Sequence, residues 1–403
     1  MAWSSGVCRA RHRQVVKGVD LESYSPFPGK DAQRIAVDLR RVLNVGIGRY
    51  MRCLFPAILR LDQENQYWFL SPPGVRIEGL RAEQSHVIST AVPYYSVREQ
   101  LAIPRLLKRL SVDLFHSPHF VLPIVRPCKT IVTIHDLIYR EYPGDLSRVG
   151  HYYYSVFTWL AARLADRVLT VSEFSRQEII RRLKVAPEQV VVVPEAPGSH
   201  FRTIGDRAHL ARVRSKYSLP ERFLFNIGIQ RPRKNLDRLI EAFSQLPLRS
   251  FRGVKLILAG KSDPGFQHVS SLIKQLGLGD RVLVIGEVAD EDLPAVYSLA
   301  RGLVFPSLYE GFGLPVVEAM ACGTPVITSR GSALPEVSGD AALLVDPRSV
   351  SDIRDGMARV LEDDQLVDLL KSRGYARARL FTWEAAASRT LSVYQEILGK
   401  ARP

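Results

Sequence analysis

Leu308-Tyr309-Glu310-Gly311-Phe312-Gly313-Leu314-Pro315-Val316-Val317-Glu318-Ala319-Met320-Ala321-Cys322-Gly323-Thr324-Pro325-Val326-Ile327 reads as a glycine-rich turn, a short helix and the start of a strand. The apolar run Gly302-Leu303-Val304-Phe305 just before it supplies the preceding strand. Pro315 suits the first helical positions and Gly323 suits the helix stop. Amides at a helix start lack intrahelical partners and can hold an anion. Glu310 and Glu318 flank that start with carboxylates able to grip hydroxyls. An anion site beside such carboxylates fits a sugar nucleotide.

Working outward, apolar runs alternate with helical patterns along nearly the whole chain, which predicts parallel sheets with crossover helices. Strands are expected at 34–39, 67–70, 86–89, 114–116, 130–135, 168–171 and 190–194. After a Pro- and Gly-rich break they resume at 223–227, 255–259, 282–285, 302–305, 326–329 and 342–345. The expected fold class is α/β: two Rossmann-like halves with parallel sheets facing across a cleft. The expected divisions are a loose basic extension over 1–33, a first domain over 34–200 and a second over 201–382. Trp383, Ala386, Leu391, Tyr394 and Ile397 recur at helical spacing and predict a terminal helix over 383–400.

The 403 residues carry 55 Lys and Arg against 41 Asp and Glu, a formal charge of +14. No nucleic-acid motif accompanies this excess, so nucleic acid is not an expected partner. An anionic nucleotide donor and a cytoplasmic membrane face account for the charge. No apolar run is long enough to span a bilayer, and the first thirty residues lack the apolar core of a secretory signal. Cys8, Cys53, Cys128 and Cys322 form no C-x-x-C pair, which argues against zinc and disulfides and for a reducing compartment.

The string from Glu310 to Val326 resembles, almost unbroken, the E-x-G-F-G-L-P-x-x-E-A-M-A-x-G-x-P-V signature of family 4 retaining glycosyltransferases. The resemblance extends from about Ile35 to the terminal helix. It implies the GT-B fold, with the terminal helix crossing back onto the first domain. It also implies transfer of a sugar from a nucleotide diphosphate sugar with retention, and no metal or other cofactor.

Other strings fit the same frame. Gly228-Ile229-Gln230-Arg231-Pro232-Arg233-Lys234-Asn235 places three cations at the end of a strand. Arg clamps a leaving diphosphate bidentately and Lys neutralises it as a point charge. Relatives often carry Arg directly after the Gly, where this chain has Ile229, so Arg233 is expected to substitute and Lys234 to carry the main role. Gly46-Ile47-Gly48-Arg49-Tyr50 resembles the family's glycine-rich first loop, read here as a loop before a helix starting near Tyr50. Thr133-Ile134-His135-Asp136 resembles its His-Asp element, where a neutral His135 would position the donor sugar and Asp136 would serve as a ligand or as a turn cap. Ser172 in Val171-Ser172-Glu173-Phe174-Ser175 is a candidate phosphate ligand, while Ser175 and Glu178 suggest a capping box. Gly286-Glu287-Val288 resembles the loop whose backbone holds the base. His116 and His119 lack a third ligand for a metal and read as core or acceptor-side residues. The basic segment Val97–Leu110, interrupted by Pro104, reads as a surface helix or a lipid-facing one.

By this resemblance His135, Glu310, Lys234 and Arg233 are the expected catalytic residues. Gly46, Gly48, Ser172, Gly286, Val288, Gly311, Phe312, Gly313, Leu314, Val316 and Glu318 are the expected donor-binding residues. The closest strings point to GDP-mannose as donor and a glycan or lipid-linked oligosaccharide as acceptor, in polysaccharide or O-antigen assembly. The expected location is cytoplasmic, with peripheral association with the membrane as a further expectation. The alternatives are a UDP-sugar-dependent transferase of the same family, a non-catalytic sugar-nucleotide-binding partner, and a sugar-nucleotide epimerase, for which no acid/base carboxylates stand out in the first half. Glu195, in Val193-Pro194-Glu195-Ala196-Pro197, stands where many relatives carry Asn-Gly or a Gly-Val-Asp turn. It reads as a residue tuning donor or acceptor choice, or as a plain hinge.

Overall fold

The computed structural model describes residues 32–80, 83–247, 249–261 and 268–399. Residues 1–31 of the expected extension, with Cys8, lie outside them. Seven strands form the first sheet: β1 (Arg34–Asp38), β2 (Gln66–Ser71), β3 (Ser85–Ser89), β4 (Leu114–Ser117), β5 (Lys129–Thr133), β6 (Arg167–Thr170) and β7 (Val190–Val192). Six form the second: β8 (Phe223–Ile227), β9 (Lys255–Ala259), β10 (Val282–Gly286), β11 (Gly302–Phe305), β12 (Val326–Ser329) and β13 (Ala342–Val345). Every pairing is parallel. The strand orders are β3-β2-β1-β4-β5-β6-β7 and β10-β9-β8-β11-β12-β13. Helices cover both faces of each sheet, so central strands such as β1 and β11 are nearly continuous apolar runs, whereas the edge strand β3 exposes Val87.

Each order reverses once, between β1 and β4 and between β8 and β11. Ligands of open parallel sheets bind at such switch points, beyond the carboxyl ends of the strands. The basic loop follows β8 and the glycine-rich loop follows β11, so both second-half motifs stand at one switch point.

The helix Trp383–Leu398 packs on the helix Val45–Leu61 of the first half. Trp383, Ala387 and Tyr394 join the core formed by Tyr50, Leu54 and Ile58. The Tyr394 hydroxyl lies 2.6 Å from His116 Nδ1, and His116 Nε2 lies 2.8 Å from Thr133 Oγ1. Burial lowers the His116 imidazole to about 3, so this histidine is a neutral core residue.

Three local expectations are corrected. The helix expected near Tyr50 begins at Val45, so Gly46 and Gly48 lie in its first turn rather than in a loop. A Cβ at Gly48 would stand 2.2 Å from the Val42 carbonyl oxygen, so its close approach is to its own chain. The cap of the helix Glu173–Leu183 is Ser172, accepting from the Ser175 amide at 3.1 Å, and not a box of Ser175 and Glu178. Pro104 does not interrupt its segment: the helix Val97–Arg109 runs through it with Ile103, Pro104 and Leu107 buried. The ring removes one backbone bond there, and packing on the core replaces it. Among the described residues no helix is long and apolar enough to cross a membrane.

Candidate active site

The glycine-rich loop 306–313 leaves β11 and enters the helix Leu314–Ala321, whose cap is Gly313 at φ 101° with no side-chain hydrogen bond. The amide of Leu314 therefore meets no capping side chain, and the dipole of the turn favours an anion there. Val316 donates its amide to the Gly313 carbonyl and is itself core. The loop is braced by the Leu308 amide donating to the Arg233 carbonyl at 2.7 Å and by the Glu310 amide donating to Ser332 Oγ at 3.2 Å.

The basic loop after β8 is bent by Asn235, which sits at φ 61°, a left-handed conformation Asn tolerates better than most residues. Its buried side chain donates to the Pro306 carbonyl at 3.0 Å and the Pro347 carbonyl at 2.6 Å. Asn235 thus pins the loop so that Arg233 and Lys234 point at the glycine-rich turn. Asn235→Ala leaves two buried carbonyls unpaired and is expected to cost about 2 kcal/mol of stability, read as a lower urea midpoint in equilibrium unfolding.

Lys234 Nζ donates to Glu310 Oε1 at 2.6 Å and lies 4.7 Å from the Phe305 ring centroid. Arg233 Nη1 is 4.0 Å from Glu310 Oε2. Burial lowers the Lys234 ammonium, and the Glu310 charge offsets that only in part. Burial pushes the Glu310 carboxyl up, yet the charges of Lys234 and Arg233 hold it below its ordinary value. Glu318 is 2% exposed. It pairs with Arg49 of the first half and accepts from the Tyr297 hydroxyl at 3.1 Å. Burial raises its carboxyl despite Arg49. Arg49 also pairs with Asp290, just beyond Gly286 and Val288.

The two halves meet at these motifs. The Ser172 and Ser175 hydroxyls donate to the Gly311 carbonyl at 2.6 and 3.2 Å. Glu336 accepts from the Glu173 and Phe174 amides at 2.7 and 3.0 Å. Asp145 Oδ2 lies 3.4 Å from Arg233 Nε. Phe312 packs edge-on against Phe381, in the connection leading to the terminal helix.

His135, beyond the end of β5, has Nδ1 3.2 Å from Glu195 Oε1 and Nε2 3.3 Å from the Pro118 carbonyl. Burial lowers its imidazole, but Glu195, Asp136 and the Pro118 carbonyl together raise it above the ordinary value. The expectation of a neutral ring thus meets an imidazole raised by its partners. Asp136 Oδ1 accepts from the Ile138 amide at 3.0 Å, the turn-capping role.

The structure thus gathers His135, Arg233, Lys234, Glu310, Gly311, Phe312, Gly313 and Leu314 along one seam. Gly46 and Gly48 reach it through Arg49, while Gly286, Val288 and Glu318 stand at its far end. Ser172 spends its hydroxyl on Ser175 and Gly311. Sequence reasoning passed over Arg49, Asp145, Tyr297 and Glu336. Only Arg49 carried a signal, inside the string around Gly46 and Gly48. Among the described residues no three His, Cys, Asp or Glu side chains group to hold a metal ion.

Comparison with known proteins gives the family. The family described as Glycosyltransferase Family 4 matches residues 46–196, and Glycosyl transferases group 1 matches residues 211–377. An O-antigen chain mannosyltransferase B from Escherichia coli is 36% identical over 287 residues, covering 70% of this chain and 74% of the relative. The serotype-specific mannosyltransferase WbdA from Escherichia coli is 33% identical over 293 residues, covering 70% of this chain and 36% of WbdA. Among solved structures, a sucrose-phosphate synthase from Thermosynechococcus elongatus superposes with a TM-score of 0.75 at 24% identity, covering 92% of this chain and all of that one. HepE from Anabaena, solved with UDP and glucose, gives 0.72 at 19% identity, covering 90% of this chain and all of that one. These two share the fold, two Rossmann-like sheets in the GT-B arrangement. With both halves matched and a relative of this identity and coverage, the chain belongs to the family 4 glycosyltransferases.

Proposed function

We propose that this enzyme transfers mannose from GDP-mannose, with retention, onto a glycan or lipid-linked oligosaccharide in polysaccharide or O-antigen assembly. The carrying observation is the convergence of Lys234 and Arg233 on Glu310 beside the open helix start at Leu314. The mannosyltransferase names of the similar Escherichia coli proteins support the choice of sugar. The donor lies along the second half, its ribose hydroxyls on Glu318, its base near Gly286 and Val288, and its diphosphate by Lys234, Arg233 and the Leu314 amide. Glu310 and the Gly311–Gly313 backbone hold the sugar hydroxyls.

The acceptor hydroxyl oxygen attacks the anomeric carbon on the face the phosphate leaves, and the bond from that carbon to the phosphate oxygen breaks. The acceptor proton passes to the departing phosphate. Charge grows on the diphosphate as this happens, where preorganised cations lower the barrier most. Arg49 of the first half pairs with the Glu318 carboxylate, so the residue assigned to the ribose is also tied to the opposite half. The reaction is assigned to the cytoplasmic face of a membrane, with the +14 charge drawing the enzyme to anionic lipid.

A panel of sugar nucleotides read by thermal shift tests the donor. Native-state ligands stabilise by RT ln(1 + [L]/Kd), about 2.7 kcal/mol at a hundredfold excess over Kd. GDP-mannose is expected to raise Tm most and to hydrolyse slowly without acceptor. Preference for a UDP-sugar would replace the donor assignment. Stabilisation by a sugar nucleotide with neither hydrolysis nor transfer would favour the non-catalytic sugar-nucleotide-binding partner.

A further inference from the structure

His135 is flanked on both ring nitrogens by atoms that only accept hydrogen bonds. Glu195 Oε1 faces Nδ1 at 3.2 Å and the Pro118 carbonyl oxygen faces Nε2 at 3.3 Å. A neutral imidazole has one N–H and satisfies only one of them, whereas an imidazolium donates to both. The Glu195 side chain is 9% exposed and that of His135 is 15% exposed, so water is a poor substitute partner on either side. Glu195 lies in the connection leaving β7, beside core Val193 and Ala196, which fixes its approach.

Resting on the glycosyltransferase reading, we propose that Glu195 is a positioning residue that holds His135 as an imidazolium. His135 then offers Nε2–H, as a donor only, to an oxygen of the transferred sugar that displaces the Pro118 carbonyl. In this state the ring cannot take a proton, so it is no general base. The acceptor proton is left to the leaving phosphate, and a fixed positive charge stands beside the diphosphate cations.

The surrounding groups agree. Asp136, adjacent in the chain, adds negative charge. Tyr50 meets the ring edge-on at 4.8 Å and is held un-ionised by its burial. Arg233 and Lys234 repel a cation here but are themselves paired with Glu310, and His116 and His119 are the histidines nearby. Burial lowers both, and the His135 charge lowers them further, so they stay neutral. The sign of the linkage follows from a raised group. The stability that Glu195 and His135 contribute is fully present below the unfolded histidine value of about 6.5. It is lost as pH rises through the higher folded value.

Selective ¹⁵N labelling of the histidines in the full chain tests this, with His135 assigned by the signal missing in His135→Asn. In the wild type the His135 nitrogens are expected to titrate above about 6.5. In Glu195→Gln, isosteric and uncharged, the midpoint is expected to fall by at least about one pH unit, about a tenfold fall in the imidazolium-to-imidazole ratio at a given pH. The alkaline limb of kcat for donor hydrolysis is expected to move down with it. A wild-type midpoint at or below the ordinary value overturns the proposal without need of any variant. So does a midpoint unmoved in Glu195→Gln. A shifted midpoint in a protein that turns over no sugar nucleotide would overturn the transferase reading and still support the Glu195–His135 charge assignment.

Discussion

Lys234→Ala is expected to lower kcat for donor turnover about 100- to 1,000-fold while weakening donor binding by less than about tenfold. The asymmetry follows from when the charge is needed. In the ground state the diphosphate charge is spread and shared with solvent and with helix-start amides. In the transition state the leaving oxygen gains charge, and a cation already in place stabilises it without reorganisation. Lys234 is in place because Glu310 holds its Nζ at 2.6 Å and the Phe305 ring lies beneath it at 4.7 Å. Arginine is a poor replacement in that slot, since its planar fork does not fit a site shaped for a point charge.

The same substitution leaves Glu310 mostly buried beside Arg233 alone, 4.0 Å away, and removing one partner of a buried pair costs about 3 kcal/mol. Lys234→Met combined with Glu310→Gln isolates the stability effect: Tm recovers, while turnover stays low because both partners act on the donor. Steady-state kcat together with thermal melts of the single and double variants checks this. Wild-type kcat in Lys234→Ala would remove the residue from the reaction.

How far the site could be read from the chain depends on where each interaction comes from. The thirteen described strands stand near their expected positions, because a strand buried on both faces is a largely apolar run, as at Gly302–Phe305, and at Phe223–Ile227 with only Asn226 polar. The glycine-rich turn and the basic loop were legible because each is one local string with its own chemistry. The start of the helix at Val45 was not, since Asn44 makes no side-chain cap and Gly46 and Gly48 read as loop. Ser175 and Glu178 read as a capping box and Ser172 as a ligand, whereas Ser172 is the cap and its hydroxyl is held by the Gly311 carbonyl, 139 residues away. The same holds for Arg49 on Glu318, Asp145 on Arg233 and Glu336 on the helix start at Glu173. Each is a charge whose partner lies in the other half, and no local pattern marks it. Glu195 stood out only as a departure from the family's turn, and its contact with His135 comes from how the chain leaves β7.

Gly311→Val is expected to cost at least about 100-fold in turnover while leaving nucleotide binding nearly intact. A Cβ at this position would stand 2.8 Å from the Asp136 Cβ and 2.8 Å from the His135 carbonyl oxygen. Those are a backbone oxygen and the root of a side chain, not the tip of a flexible one, so neither gives way cheaply. The loop cannot retreat instead, because the Ser172 and Ser175 hydroxyls hold the Gly311 carbonyl at 2.6 and 3.2 Å. The strain is therefore relieved by prying the halves apart at the seam. That moves His135 away from Glu310 and Lys234, and a misplacement near 1 Å between groups that must act together costs about a hundredfold. Glu318, Lys234 and the helix start at Leu314 all belong to the second half, so the nucleotide keeps its principal contacts. Hydrogen exchange should report the same event. The Glu173 and Phe174 amides, protected in the wild type by Glu336 across the seam, are expected to exchange faster in Gly311→Val, with β11 and β12 unchanged. Full turnover in this variant, or unaltered exchange at Glu173 and Phe174, would mean that the halves do not need this contact to work.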